Sequence, residues 1–173
     1  MPRLPEIHDK TPLPAEHHHI VDYLVETRGA ISPGFGQILN NPEVAYYIGQ
    51  LGTKIRFHSP LPDNVRELTA LVASAELDGV YEQSLHTRDA AEKGVAQATI
   101  DSVNRLQAIE DATPEEAMAV RCARELIRQH RLSDEAFVQA RDTFGDQGVV
   151  QLIATIGYYA MLAYVHNGLL VGR

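Results

Sequence analysis

The sequence predicts an all-α protein, and three observations carry that expectation. Helix-start signals recur along the chain, strand-like alternation is scarce, and apolar residues such as Val65, Leu68, Leu71, Val72 and Ala75 fall at helical spacing. The length of 173 residues suits a single domain, with residues 15–173 forming it behind an extended arm at 1–14. A hydrophobic fraction of 45% beside 22% charged residues is ordinary for a globular chain and large enough to bury a core without disulfides.

Each element follows from a local signal. The proline-rich start reads as an extended arm up to Pro14, and without an apolar core it does not read as a signal peptide. Residues 15–28 form the first expected helix, with His17, His18 and His19 in its first turn. Residues 28–36, rich in Gly and Ser-Pro, read as a turn-rich connection. Pro42 suits a first helical position and opens a helix to about Phe57. The next helix starts near Pro62. Asp78-Gly79 interrupts it, and Asp78 is expected to cap the following helix, which runs to Gly94, a C-terminal left-handed glycine. A short helix covers about 97–104. Thr113, Pro114 and Glu116 make a capping box opening a helix to about Arg131. Ser133 starts another that ends near Phe144-Gly145, and Asp146 can cap a last, mostly apolar helix.

Charge and cysteine content exclude several function classes. With 23 acidic and 15 basic residues the net charge is −8, which argues against nucleic acid or an anionic membrane as the partner. The apolar stretch 149–165 is too short for a membrane span and is interrupted by Gln151, Thr155, Gly157 and tyrosines, so a buried helix is expected, and with it a cytoplasmic protein. The single cysteine, Cys122, excludes a disulfide framework and any Cys-x-x-Cys pair.

The chemistry-bearing stretch is 61–103. Glu67 lies beside an apolar stripe, where burial would favour its protonated form. Glu82 and His86 are four apart and share a helix face, so the carboxylate can orient the imidazole and raise its basicity. Read from spacing alone, either feature also fits an ordinary hydrated surface. Three histidines in a row cannot all face one side of a helix, and a solvent or interface role suits His17–His19 better than a metal. Tyr158 and Tyr159, midway along the last helix, are core residues or donors into a pocket. Arg56 or Arg66 could hold a carboxylate as a fork.

The pattern Arg66-Glu67-Leu68, Tyr81-Glu82, His86, Ala90-Ala91, Gly94-Val95 and Ile100 resembles the carboxymuconolactone decarboxylase family, with its AhpD-like all-α fold. In the redox branch of that family a glutamate precedes a cysteine pair, and a histidine follows the second cysteine by four. Here the glutamate corresponds to Glu67 and the histidine to His86, while Gly79 and Glu82 occupy the cysteine positions. Disulfide-based peroxidase chemistry is therefore excluded. The resemblance implies instead a lyase or isomerase acting without metal or organic cofactor on a small carboxylated or lactone-type metabolite. Its catalytic residues would be His86, Glu67 and Glu82. His86 would move a proton to or from carbon, Glu67 kept protonated would hydrogen-bond a developing enolate, and Glu82 would orient His86; Glu67 and His86 could also exchange roles as base and acid. Tyr81 and Tyr158 would line the substrate site. The resemblance further implies a homo-oligomer, a trimer or hexamer. The alternative is a non-catalytic oligomeric binding or scaffold protein of the same fold.

Overall fold

The computed structural model describes residues 2–172, and the described residues contain helices and no strand. After a 3-10 turn at Ala15–His17 come α1 (His18–Arg28), α2 (Pro33–Ile38), α3 (Pro42–Phe57), α4 (Asp63–Glu76), α5 (Val80–Glu92), α6 (Gln97–Asn104), α7 (Pro114–Gln129) and α8 (Asp134–Leu169). The chain divides into two compact units. One comprises the chain up to His58 with the chain from Val165 onward, the other Ser59–Tyr164.

In the first unit α3 packs on α1 and α2. Gly49 of α3 permits close approach, since a Cβ there would fall 2.8 Å from Leu24 Cδ2. The arm expected before Pro14 is non-helical and tied down: the Ile7 N–H donates to Gly36 O at 2.9 Å and the Arg3 N–H to Leu169 O at 3.0 Å. Two expectations need correction here. The first helical turn is 3-10, so the α-helix begins at His18 rather than Ala15. The connection 28–36 contains the start of α2, because the Ser32 side chain accepts from the Phe35 N–H and Pro33 takes the first helical position.

The second unit is built around α4, against which α5, α6 and α7 pack. The sequence pattern gave α4 one apolar face, yet every residue from Val65 to Ala75 is buried. A helix surrounded on all sides must satisfy its polar residues internally. Thr69 donates back to Val65 O at 2.7 Å and Ser74 to Ala70 O at 2.8 Å. Leu68, Leu71, Val72, Ile100, Ala119, Val120, Cys122 and Leu152 form the core around it.

Local chain signals set the ends. The Thr113 capping box is formed in both directions. Gly94 adopts φ +86 after α5, as expected of a C-terminal glycine, and His130 takes the left-handed conformation that ends α7. The residue capping α5 is Gly79 rather than Asp78, which itself sits at φ +52. A Cβ on Gly79 would meet Ala163 Cβ at 3.0 Å and Ser74 O at 3.3 Å, so the turn needs glycine for space. In α8 the helical backbone is broken at Gly145 (φ 68, ψ 173), where the sequence places a helix end, and Asp146 accepts from Arg141. By length and composition α8 could cross a membrane, but half of its most apolar window is buried inside the protein, as a core helix would be.

Candidate active site

Helices α4 and α5 bring the three sequence-selected residues together. Glu67, in the second turn of α4, directs Oε2 to His86 Nδ1 at 2.7 Å. Glu82, one turn before His86 on α5, places Oε2 3.4 Å from His86 Nε2. All three are buried, with 5%, 7% and 3% of Glu67, Glu82 and His86 exposed. The imidazole is thus held at both nitrogens by carboxylates, with the tighter contact at Nδ1.

A fourth group completes the cluster. Arg66 donates from Nη2 (2.9 Å) and Nε (3.3 Å) to Glu67 Oε1, and from Nη1 to Asp63 Oδ1 at 2.6 Å. Its guanidinium is therefore committed within the protein rather than open to a substrate. Asp63 also meets Lys93 Nζ at 3.0 Å. Neighbours in sequence point to different sides of a helix, and only the length of the arginine side chain lets it reach back to Glu67. Spacing rules give no hint of that bond.

The electrostatics correct the expected protonation of Glu67. Burial alone would raise its pKa. The hydrogen bond and charge of His86, with those of Arg66, outweigh it and hold Glu67 down to about 2. His86 shows the mirror image: burial disfavours the imidazolium, but the hydrogen bonds and charges of Glu67 and Glu82 raise its pKa above the ordinary value. These interactions favour a carboxylate on Glu67 and the charged form of His86. Glu67 therefore does not hold a proton to donate to an enolate.

Tyr159 of α8 lays its ring against His86, with centroids 4.5 Å apart at 82°. Tyr158 stacks edge-on against Tyr159 at 5.2 Å. Both are buried, at 4% and 2% for Tyr158 and Tyr159. Tyr81 is half-buried on the same helix as Glu82. Glu67, His86 and Asp89 each offer an atom within 4.8 Å of the others, a donor set suited by type to a divalent ion. However, Glu67 is already bonded to Arg66 and His86, and Asp89 accepts two hydrogen bonds from Arg88, so the protein's own cations compensate these carboxylates. That donor set does not fit an ion without breaking existing pairs. Cys122 lies fully buried on α7, and burial pushes its thiol up to about 11, the opposite of an activated nucleophile.

Fold and site together define an all-helical protein in which two packed helices join a glutamate and a histidine in the interior. Residues 42–125 match the model of the carboxymuconolactone decarboxylase family, so the resemblance read from the sequence holds over the segment that carries α3 to most of α7. Among solved structures, a peroxidase-related protein from Silicibacter sp. TM1040 superposes with a TM-score of 0.76 at 16% identity, covering 98% of this chain and 92% of that one. A variant of the debrominase Bmp8 in complex with 2,3,4-tribromopyrrole gives 0.71 at 15% identity, covering 99% and 91%. At such identities the likeness shows the fold alone. The sequence matches no curated protein.

Proposed function

We propose that the protein is a carboxymuconolactone decarboxylase-like enzyme that delivers a proton to carbon from His86, without a cofactor, on a small carboxylated or lactone-type substrate. The observation that supports this most is the buried 2.7 Å contact between Glu67 Oε2 and His86 Nδ1, which favours the protonated form of the ring. Shielded acid–base pairs with displaced pKa values are common at catalytic sites.

The chemistry runs from that charge state. When the carboxylate of a β,γ-unsaturated lactone acid leaves as CO₂, the electrons of the broken C–C bond enter the conjugated carbonyl as an enolate. The imidazolium faces the developing negative charge and then gives its Nε2 proton to carbon, leaving a neutral ring that recovers a proton from solvent. Glu67 stays ionised throughout, holding the Nδ1 proton and the ring's orientation. Arg66 in turn fixes Glu67. A charged imidazole is a donor at rest, so proton delivery suits this site better than abstraction from carbon. Glu82 occupies the nitrogen that must serve the substrate. Its contact is the longer one, at 3.4 Å, and its side chain the more exposed of the two carboxylates, at 10% against 6%, so it is the group that moves aside.

Deep burial favours a second reading, in which Glu67, Glu82, His86 and Arg66 form a structural ion cluster in a binding or scaffold protein. Screening lactone and β-keto acids for CO₂ release and double-bond migration separates the two. Turnover that disappears in His86→Ala while the fold persists supports the enzyme. A wild-type protein that binds such acids with no turnover at any pH refutes it.

A further inference from the structure

The first unit carries a concave feature that is independent of His86. A cleft of about 220 Å³ is lined by His17, His19, Ile20, Glu43, Tyr46 and Tyr47. Its walls are rings set at steep angles: Tyr46 meets His19 at 75° with centroids 5.7 Å apart, and Tyr47 at 57° and 5.8 Å. Behind them Tyr23 braces Tyr46 at 77° and 5.4 Å. Tyr23 is itself fixed, because its hydroxyl donates to Thr53 Oγ1 at 2.9 Å and Thr53 donates to Gly49 O at 3.0 Å. Ile20, 2% exposed, is the apolar residue among the lining groups. The walls are therefore positioned by packing from beneath, although Tyr47 itself stays 69% exposed.

The charge of the lining is one-sided. Glu43 supplies a carboxylate, and neither Lys nor Arg lines the cleft. Among the described residues Glu43 has no ion pair, whereas Asp22 on α1 is matched by Lys10 at 2.9 Å. Aromatic faces present negative electrostatic potential, and rings meeting at steep angles around a carboxylate are the surroundings that stabilise an organic cation. A compact metal ion is disfavoured, because the histidines and Glu43 do not converge on a common point as Glu67, His86 and Asp89 do.

We propose that this cleft binds a small quaternary or alkylated ammonium ion, with Tyr46 and Tyr47 as walls and Glu43 as the counter-charge. The volume accommodates a trimethylammonium head group with a short tail. The chain contains no tryptophan, and two of its seven tyrosines line the cleft, so tyrosine fluorescence carries a contribution from the site.

The test titrates full-length protein with choline at pH 8, and in parallel with 3,3-dimethylbutanol, its uncharged carbon counterpart. Saturable quenching by choline with at least fivefold weaker binding of the neutral alcohol supports the proposal. At two exposed positions, Tyr47→Leu should weaken choline by roughly two- to fivefold, the range for solvent-exposed cation–π contacts, and Glu43→Gln by up to about fivefold, the range for an exposed ion pair, both with unchanged circular dichroism. Equal affinity for the alcohol and choline, no saturation by choline, or unchanged affinity in the Tyr47→Leu/Glu43→Gln double variant overturns it. Because the cleft shares no residue with the His86 cluster, a lyase that fails to turn over can still bind choline, and the reverse.

Discussion

Replacing Glu67 with glutamine tests the charge state on which the proposed chemistry rests. In the folded protein the Glu67 carboxyl is held from 4.5 down to about 2. At 1.36 kcal/mol per pH unit that displacement corresponds to roughly 3 kcal/mol of stability, an order-of-magnitude figure. It agrees with the ~3–5 kcal/mol expected when one partner of a buried ion pair is removed, here leaving Arg66 and His86 facing a neutral amide. The sign follows from linkage. A depressed carboxyl contributes fully above its unfolded pKa, and the contribution is lost as pH falls from about 4.5 toward 2. The raised pKa of His86 works in the other direction: its share is present below the ordinary value of 6.5 and disappears as pH rises through the folded value. The stability gap between wild type and Glu67→Gln should therefore be widest near pH 5–6.5 and narrow on both sides. Urea denaturation followed by circular dichroism from pH 2.5 to 9 measures it. A gap below about 1 kcal/mol, or one that does not change with pH, would show that Glu67 is not the carboxylate holding His86 charged.

Further outcomes follow from the same structure. His86→Ala should lower turnover at least ~10²-fold, the usual cost of a lost acid–base group, and the rate of the wild type should fall as pH rises through the raised His86 pKa, once substrate ionisation is allowed for. An acid-side loss alone would reverse the assigned role. Cys122→Ala should leave turnover unchanged, and iodoacetamide should label the native thiol far more slowly than a free cysteine, because the group is buried and pushed up to about 11. Thr113→Ala should cost about 1 kcal/mol by removing the capping box of α7, read from the urea midpoint. Val150, Ile153 and Tyr164 of α8 are exposed apolar side chains, and the homo-oligomer implied by the family would cover them. Light scattering should then find an oligomer for the wild type and dissociation in Val150→Glu; a monomeric wild type removes that expectation.

Much of the helical plan was legible because its signals are local. Pro42, the Thr113 box, Gly94 and Gly145 each state a boundary through the conformation of one or two residues. The short helix α2 escaped because its Ser32-Pro33 start is followed by glycines that read as a turn. The all-round burial of α4 escaped for a different reason: Thr69 and Ser74 look polar in a sequence but satisfy themselves on their own helix. At the site, the meeting of Glu67 and His86 was expected from the family pattern, whereas the ionisation of Glu67 was not. Burial read from a stripe of apolar neighbours predicts protonation. The deciding groups are Arg66, adjacent in sequence and so set aside by helical spacing, and the imidazole itself. The contact of Tyr159 with His86 depends on the rotation of α8, which spacing along the sequence does not fix.

The charge balance of the cluster explains why a glutamate at position 82 is tolerable. Glu67 and Glu82 bring two negative charges into the interior, and Arg66 with protonated His86 brings two positive ones. A buried group of this kind is stable only while the charges match, since an unpaired one costs several kcal/mol. Under the proposed reaction the proton leaves His86 for carbon, and for that moment the cluster holds an excess negative charge. Outward movement of Glu82 toward solvent relieves it, and the long 3.4 Å contact is the one that can break without disturbing Glu67 or Arg66. The same balance means that an anionic substrate approaching Nε2 can take over the place of the Glu82 carboxylate beside the imidazolium. Glu82→Gln should consequently bind acidic substrates more tightly while lowering the pH at which the rate falls, because His86 loses one of the two charges that raise its pKa. Inhibition by a non-reactive carboxylic acid, measured against pH for wild type and variant, reads both effects at once. Weaker binding in the variant would show that Glu82 holds the substrate rather than competing with it.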